Sequence, residues 1–167
     1  EGRRSPPDGP ETPVRRRLAL GWDLPTTGCS GTHRVAVIGA GAAGLAATKA
    51  LIDAGLDVVT YEKGDRPGGL WARDNSSGLS PAYVSLHTNT SKGRTEFADF
   101  PMPKTWPDYP SADRVAAYLA DYAETFGLLP YLRFHSTVTG VERTTSGWEI
   151  TTEDGGTQVS LRAIDVT

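Results

Sequence analysis

The stretch of residues 34–44 constrains the fold of this chain more than any other part of its sequence. Its first half is apolar and rich in β-branched residues, which is typical of a strand buried on both faces of a sheet. Gly39, Gly41 and Gly44 then follow at the spacing G-x-G-x-x-G. In such a turn the first glycine allows the tight bend, the second lets a pyrophosphate approach the backbone, and the third lets the next helix pack on the strand. The pattern predicts a phosphate-binding turn at the N-terminus of a helix.

The residues that follow the turn strengthen this interpretation. Residues 42–54 are rich in alanine and leucine, which favour a helix, and Gly55 suits its C-terminal end. Residues 56–61 are predicted to form a second strand, parallel to the first through a right-handed crossover. Glu62 follows this strand, at the position where dinucleotide-binding folds place an acidic ligand of the ribose. An acidic residue there favours an unphosphorylated ribose, and so FAD or NAD over NADP. The alternative is an ordinary βαβ unit with a fortuitous turn.

Composition limits the classes of protein to consider. The 167 residues suffice for one domain with a core, and the formal net charge of −3 gives no electrostatic argument for binding nucleic acid. Cys29 is the only cysteine, so we expect neither a disulfide framework nor a cysteine metal site. No apolar run is long enough to span a membrane and no secretory signal is visible, so we expect a cytoplasmic protein. Because the sequence begins at Glu1, we expect the native start to be missing.

The chain is expected to divide into two regions. Residues 1–33 are rich in proline, contain the run Arg15-Arg16-Arg17, and are predicted to be a disordered or loosely attached segment. The three arginines could form a targeting or anion-binding patch, but a solvated basic run is the simpler interpretation. Residues 34–167 are expected to form a partial FAD-binding domain.

The stretch of residues 63–110 lacks helical or strand periodicity. A loop of this length is usually functional or disordered, but its many large apolar residues must be buried on a large flat ligand or on the domain itself. Two glycines precede Trp71, which suits either a backbone that passes close to a ligand or a turn followed by a core tryptophan. Asn89 and Thr90 belong to a polar cluster that could bind a ligand or form a hydrogen-bonded turn.

The remainder of the chain predicts further helix and strand structure. Ser111 is suited to cap a helix that runs to Phe126, with an apolar stripe on one face. Residues 131–134 are predicted to form a third parallel strand, and an antiparallel meander is predicted at residues 137–143, 148–152 and 157–162. Residues 163–166 begin another strand. We therefore predict an α/β fold: a Rossmann-like FAD-binding domain with a parallel sheet and a small antiparallel β-meander, incomplete at the C-terminus.

Four stretches between about residues 34 and 165 resemble the N-terminal FAD domain of flavin-containing monooxygenases. They are residues 35–46, residues 61–63 with 68–71, residues 89–92 (Asn-Thr-Ser-Lys) and residues 97–103 (Phe-Ala-Asp-Phe-Pro-Met-Pro). The first is shared by many flavoproteins, whereas the last two, in this order and spacing, are much more specific. The related Baeyer–Villiger enzymes usually have Thr-Trp after the double glycine, where this chain has Leu70-Trp71.

The resemblance implies a role for each matching position. The FAD pyrophosphate would lie on the glycine turn, the adenosine ribose on Glu62, and one side of the flavin on Leu70 and Trp71. Asn89 and Thr90 would lie near the isoalloxazine, Thr88 and Asn89 near the nicotinamide of NADPH, and the backbone of Val138 near the adenine. The cofactor-binding residues implied in this way are Gly39, Ala40, Gly41, Ala42, Ala43, Gly44, Glu62, Lys63, Gly69, Leu70, Trp71, Thr88, Asn89, Thr90 and Val138.

The activity implied by the resemblance is oxygenation of soft nitrogen or sulfur centres in small molecules. NADPH would reduce FAD, O2 would form a C4a-hydroperoxyflavin, and its terminal oxygen would pass to the substrate. The protein would contribute positioning and the exclusion of water. Asn89 is the implied catalytic residue, orienting the oxygenated flavin by hydrogen bonding.

Two further features of the family are missing from this sequence. There is neither a second glycine fingerprint for NADPH nor a Phe-x-Gly-x-x-x-His signature. We therefore expect a truncated piece of a monooxygenase that is inactive alone. The alternatives are a non-catalytic FAD-binding module and a different FAD-dependent oxidoreductase. The absence of a C-x-x-x-x-C redox pair argues against a disulfide reductase.

Overall fold

The computed structural model describes residues 34–145, 147–160 and 162–165, so the segment expected to be disordered lies outside the described residues. Single 3₁₀ turns occupy Gly69–Trp71 and Leu129–Tyr131. No helix in the described ranges is long and apolar enough to cross a bilayer. The helices and strands are β1 (Arg34–Ile38), α1 (Ala42–Asp53), β2 (Asp57–Tyr61), α2 (Lys92–Thr95), α3 (Ala112–Thr125), β3 (Leu132–Arg133), β4 (Val138–Arg143), β5 (Trp148–Thr152), β6 (Thr157–Ser160) and β7 (Arg162–Asp165).

A parallel sheet of four strands, in the order β3-β2-β1-β7, forms the centre of the fold. Strands β1 and β2 pair in register from Arg34 opposite Asp57 to Ile38 opposite Tyr61. Both β3 and β7 run parallel to their neighbours, so the strands predicted around residues 131–134 and 163–166 are present. The α/β prediction is confirmed. Because β1 lies between β2 and β7, its carboxyl end opens at the position where such sheets bind ligands.

The two longer helices end where the sequence predicts. After α1 the chain enters Gly55 at φ +75°, and after α3 it enters Gly127 at φ +63°. In both cases the next amide reaches back to the last turn, with Leu56 N donating to Leu51 O and Leu128 N to Ala123 O. This is the Schellman arrangement, in which a glycine with left-handed backbone geometry lets the final carbonyl groups be satisfied.

Helix α1 is tied to the sheet by a buried polar contact. Thr48 donates from Oγ1 to the Gly44 carbonyl oxygen over 2.7 Å, and its Oγ1 lies 2.6 Å from Oγ1 of Thr60 on β2. All three residues are buried. Because the two hydroxyl groups satisfy each other, a polar pair is accommodated within the core between helix and strand.

An antiparallel meander packs against one face of the parallel sheet. Strands β4, β5 and β6 are neighbours in that order, which confirms the predicted meander. Ile150 of β5 is 1% exposed and packs with Ala36, Val59 and Tyr61 of the parallel sheet. The α1 contact at Thr60 is on the opposite face because Thr60 alternates with Val59 and Tyr61 along β2. The parallel sheet is therefore covered on both sides.

The stretch of residues 97–106 is fixed to the helical layer by aromatic packing. Phe97 and Phe100 both contact the rings of Tyr118 and Tyr122 on α3. The Tyr118 hydroxyl donates to Phe100 O over 2.5 Å and accepts from Phe97 N over 2.7 Å. Met102 is 4% exposed in the same core. The apolar residues of this stretch are therefore buried on the domain itself, one of the two possibilities left open by the sequence.

Two lysines join this stretch to the rest of the fold. Lys49 of α1 lies 2.7 Å from Asp53 and 3.1 Å from Asp99, and its ammonium group is 4.6 Å from the Phe126 ring centroid. The hydrogen bond to Asp53 raises the pKa of Lys49. Lys92, in the Asn-Thr-Ser-Lys stretch, donates from Nζ to the carbonyl groups of residues 104 and 106. Its role in the described structure is to hold a loop.

Candidate cofactor-binding site

The glycine turn at the carboxyl end of β1 has the geometry expected of a phosphate-binding turn. Gly39 has φ +94°, a value that glycine adopts readily, and its amide donates to Tyr61 O over 2.7 Å. Gly41 is the N-cap of α1, and its carbonyl accepts the first helical hydrogen bond from Leu45 N over 2.9 Å. The amides of α1 that come before Leu45, including those of Ala42 and Ala43, have no hydrogen-bond partner within the helix. The dipole of α1 is positive at this end. An anion would be stabilised there.

Glu62 connects the end of β2 to this turn. Its side chain is 5% exposed, and its two carboxylate oxygens accept from Ala40 N and from Gly64 N, each over 2.7 Å. These bonds fix the carboxylate beside the turn. Since each carboxylate oxygen has two lone pairs, Glu62 keeps acceptor capacity for a hydroxyl group of a ligand.

The double glycine at Gly68 and Gly69 lies directly against the glycine turn. Gly68 N donates to Ala40 O over 3.0 Å, and Gly69 has φ +54°. A Cβ atom on Gly69 would come within 2.9 Å of the Gly41 Cα atom, closer than side chains tolerate. Glycine is therefore required at position 69 for two reasons, its backbone conformation and its close approach to a second backbone.

A cleft of about 330 Å³ opens between these segments. The turn and the first residues of α1 form one side, and Leu70 and Leu79 give it an apolar rim, exposed by 65% and 64%. The predicted site residues that line it are Gly39, Gly41, Ala42, Ala43, Glu62, Lys63, Gly69, Leu70 and Trp71. A hydroxyl-binding carboxylate, helix amides and apolar surfaces are thus brought together, which fits the ribose, pyrophosphate and flat ring of a dinucleotide.

The other predicted site residues do not line this cleft. Ala40 and Gly44 are buried, the first bonded through its amide to Glu62 and the second within α1. Thr88 is 6% exposed, and its Oγ1 is buried without a hydrogen-bond partner in the described structure.

Asn89, Thr90 and Val138 also lie away from the cleft. Asn89 and Thr90 are exposed, and Thr90 Oγ1 lies 2.9 Å from Thr95 Oγ1. Val138 begins β4 and packs against the core cluster under the parallel sheet. The roles assigned to these three residues by resemblance stay predictions.

Five residues line the cleft that sequence reasoning did not assign to it. They are Gly68, Asn75, Ser77, Leu79 and Ser80. Gly68 stands in a stretch that resembles the flavoprotein family. The other four had no usable signal, because they lie in an aperiodic loop whose position depends on hydrogen bonds to distant segments.

The ionisable groups near the cleft show one resolved shift. Burial raises the pKa of Tyr61, and Arg133, whose guanidinium carbon lies 5.8 Å from the ring centroid, opposes this effect. Tyr61 precedes Glu62 at the end of β2, so it remains a neutral phenol near the turn. Within the described ranges, no group of three or more His, Cys, Asp or Glu residues is arranged to hold a metal ion.

Similar proteins were found at the levels of family, sequence and structure. The sequence model of the FMO-like family, flavin-binding monooxygenase-like proteins, matches residues 32–165. Flavin-containing monooxygenase 5 of Oryctolagus cuniculus is 42% identical over 134 residues, which cover 76% of this chain and 25% of that protein. Dimethylaniline monooxygenase [N-oxide-forming] 4 of Rattus norvegicus is 39% identical over 132 residues, 75% of this chain and 24% of that protein. The chain thus spans about a quarter of the length of these relatives.

A solved structure agrees with the sequence relatives. The flavin-containing monooxygenase of Stenotrophomonas maltophilia superposes with a TM-score of 0.70 at 29% identity, over 80% of this chain and 38% of that one. The family consists of flavin-binding oxidoreductases, and FAD and NADPH are its cofactors. With a family match across almost all of residues 34–167 and a shared fold, this chain belongs to the flavin-binding monooxygenase-like family.

Proposed function

We propose that this chain is the FAD-binding part of a monooxygenase that uses NADPH and O2 to oxygenate soft nucleophilic nitrogen or sulfur centres. The observation that carries the proposal is the cleft at the carboxyl end of β1. There the glycine turn, the amides at the start of α1 and the Glu62 carboxylate face a single space. This combination is what the pyrophosphate and ribose of a dinucleotide require.

Each part of the cleft has a distinct task in this proposal. The amides of Ala42 and Ala43 hold the pyrophosphate, and Gly41 lets it approach because no side chain stands in its way. Glu62 accepts a hydrogen bond from a ribose hydroxyl. Leu70 and Trp71 cover one side of the flavin and exclude water from it. When bound, FAD supplies the two-electron chemistry that activates O2.

We assign Thr88, Asn89 and Thr90 to the nicotinamide and isoalloxazine region. Thr88 has a buried hydroxyl without a partner in the described part of the chain, and an unpaired buried polar atom is costly unless a ligand satisfies it. Asn89 and Thr90 follow it directly and are exposed. Asn89 is the proposed catalytic residue, a hydrogen-bonding group beside the reacting end of the flavin.

The proposed substrate is a small molecule with a nucleophilic nitrogen or sulfur atom. The rat relative is named as a dimethylaniline monooxygenase that forms an N-oxide, which makes N,N-dimethylaniline a suitable first substrate. A non-catalytic FAD-binding module is the second candidate, favoured by the position of Asn89 and Thr90 outside the cleft.

Two measurements test the proposed function. Flavin retention by this chain after desalting tests the cofactor site. Oxygen consumption with NADPH and N,N-dimethylaniline, measured on the complete protein that contains this chain, tests the reaction. We expect N-oxide to form in step with NADPH oxidation. Flavin retention together with NADPH oxidation that yields no oxygenated product would favour a different FAD-dependent oxidoreductase. Flavin retention without NADPH oxidation would favour the non-catalytic module.

A further inference from the structure

The loop of residues 74–80 forms a wall of the cleft and is anchored to its surroundings by hydrogen bonds from its polar groups. Ser76 N donates to Asp65 Oδ1 over 3.3 Å, and Ser76 Oγ lies 3.4 Å from His135 Nδ1. Ser80 Oγ donates to Leu70 O over 2.7 Å. The loop is thus held beside the Glu62 end of the cleft from several sides.

Asn75 is the buried polar residue of this loop. It is 9% exposed and lines the cleft. Its Oδ1 accepts from Ser77 N over 3.0 Å and also from Ser77 Oγ. A backbone N–H can only donate, so this contact fixes which end of the amide is oxygen. Nδ2 donates to no protein atom in the described part of the chain. The Asn75 amide is therefore oriented, and its donor group is not fully enclosed, because it is not among the buried unpartnered polar atoms of the described residues.

Asn75 and Glu62 flank the same point of the backbone. A Cβ atom on Gly64 would lie 3.2 Å from Glu62 Oε1, 3.5 Å from Asn75 Cγ and 3.7 Å from Asn75 Oδ1, so the end of the amide nearest this point is its oxygen. The carboxylate is an acceptor, and the free end of the amide is a donor. The lining of the cleft therefore includes an acceptor at Glu62 and, at Asn75, an amide whose donor end lies farther from Gly64 than its oxygen.

This pairing suits a hydroxyl group, which donates one hydrogen bond and accepts others. We propose that Asn75 is a cofactor-binding residue whose Nδ2 donates to a hydroxyl of the adenosine ribose that Glu62 holds. The inference rests on the proposed function, because it needs FAD to lie in this cleft with its adenosine half at Glu62. A site built to bond a hydroxyl rejects an analogue that lacks it, since its polar groups are then left unpaired. Asn75 is thus a determinant of specificity for the ribose.

Nucleotide binding measured by calorimetry tests this assignment directly. The probes are ADP, 2′-deoxy-ADP and 3′-deoxy-ADP, which carry the adenosine half of FAD with and without each hydroxyl. The unaltered chain is compared with Asn75→Ala, with Asn75→Asp, which keeps the acceptor for Ser77 but loses the donor, and with Ser76→Ala. Ser76 is the matched control because it is in the same loop but does not line the cleft.

We expect the unaltered chain to prefer ADP to one of the two deoxy analogues by about tenfold, and Ser76→Ala to keep that preference. Asn75→Ala is expected to bind ADP about fivefold more weakly and to lose part of the discrimination, because the Glu62 acceptor for the same hydroxyl remains. Asn75→Asp should lose more ADP affinity than Asn75→Ala, because it brings a second carboxylate next to Glu62. The ratio between ADP and the deoxy analogue does not depend on the folded fraction of a variant, so a merely structural role would leave it unchanged.

Either of two results would overturn the role of Asn75. One is an unchanged ratio in Asn75→Ala and Asn75→Asp, and the other is ADP affinity within twofold of the unaltered chain in both. Failure of the unaltered chain to bind ADP or FAD is a different result, which would overturn the proposed function and this inference with it.

Discussion

Gly69 lies so close to Gly41 that a Cβ atom on Gly69 would be 2.9 Å from the Gly41 Cα atom. The neighbouring amide of Gly68 donates to Ala40 O over 3.0 Å, so the two segments are joined as well as touching. The glycine turn and the double glycine are separate motifs in the sequence, but both line the same cleft in the fold. Changes in either segment therefore test the same structural unit.

Gly69→Ala should damage both the fold and the flavin site. Alanine at φ +54° is strained, and its Cβ would force the two backbones apart. We expect a loss of about 2–4 kcal/mol in the free energy of unfolding, measured by urea titration. Gly78→Ala is the matched control, because Gly78 has φ +65° but nothing within 4 Å of its Cβ position. It should lose only about 1–2 kcal/mol. Equal losses would show that the close approach carries no energetic weight.

Gly41→Ala should separate binding from folding. Gly41 has φ −77°, which any residue adopts, and a Cβ there would make an ordinary contact of 3.6 Å with Gly69 Cα. We therefore expect unfolding in urea to change little. FAD affinity should fall at least tenfold, because the side chain enters the space needed by the pyrophosphate. Gly41→Val should retain no flavin, whereas Gly93→Ala, in open space on α2, should retain as much as the unaltered chain. Near-normal flavin content in Gly41→Val would contradict the location of the site.

The local parts of this architecture follow from the sequence. The β1 strand, the glycine turn and α1 could be predicted because apolar runs, glycine spacing and helix propensity act over a few residues. The same holds for the ends of α1 and α3, where Gly55 and Gly127 mark the final turns. The stripe of Val115, Leu119 and Tyr122 on α3 is buried as its helical spacing predicts.

The aperiodic loop could not be predicted in the same way. Asn75 and Ser77 line the cleft because Ser76, between them, is bonded to Asp65 and lies within hydrogen-bond distance of His135. These two partners are far apart in the chain. No periodicity or propensity encodes such contacts. The position of Asn89 outside the cleft has the same origin: its neighbour Thr88 pairs through its amide with Pro110 O over 3.0 Å.

Tyr118→Phe should destabilise the stretch that carries Phe97 and Phe100. The substitution keeps the ring packing but removes the hydroxyl that bonds Phe97 N and Phe100 O. An amide and a carbonyl then lose their partner, which costs about 1–3 kcal/mol in the free energy of unfolding. Tyr109→Phe, at a residue that is 54% exposed, is the control and should have almost no effect in the same urea titration. If both variants unfold alike, the hydroxyl of Tyr118 does not hold this stretch.

The stability of the domain should fall at alkaline pH in a way that depends on Tyr122. Burial raises the pKa of this phenol to about 12, whereas a tyrosine in the unfolded chain ionises near 10. Its stabilising contribution is complete below about pH 10 and is lost as the pH rises towards 12, because the unfolded chain releases its proton first. Urea titrations across this range should show a steeper loss for the unaltered chain than for Tyr122→Phe. Identical slopes would mean that Tyr122 ionises as an exposed phenol does.

Asn89→Ala should divide cofactor binding from oxygenation in the complete protein that contains this chain. Asn89 is exposed and lies outside the cleft, so its truncation should leave the fold and the FAD content unchanged. If Asn89 acts at the reacting end of the flavin, oxygenation of N,N-dimethylaniline should fall by about a hundredfold while NADPH still reduces the flavin. Product formation at the rate of the unaltered protein would remove Asn89 from the reaction.

The most direct test of the central claim is the absorbance spectrum of the purified chain after incubation with FAD and desalting. We expect flavin absorbance to be retained at close to one FAD per chain and to be lost in Gly41→Val. A chain whose circular dichroism spectrum shows the helices and strands of an ordered domain, yet which retains no flavin, would contradict the claim that the cleft between the glycine turn, Glu62 and the double glycine is a FAD site.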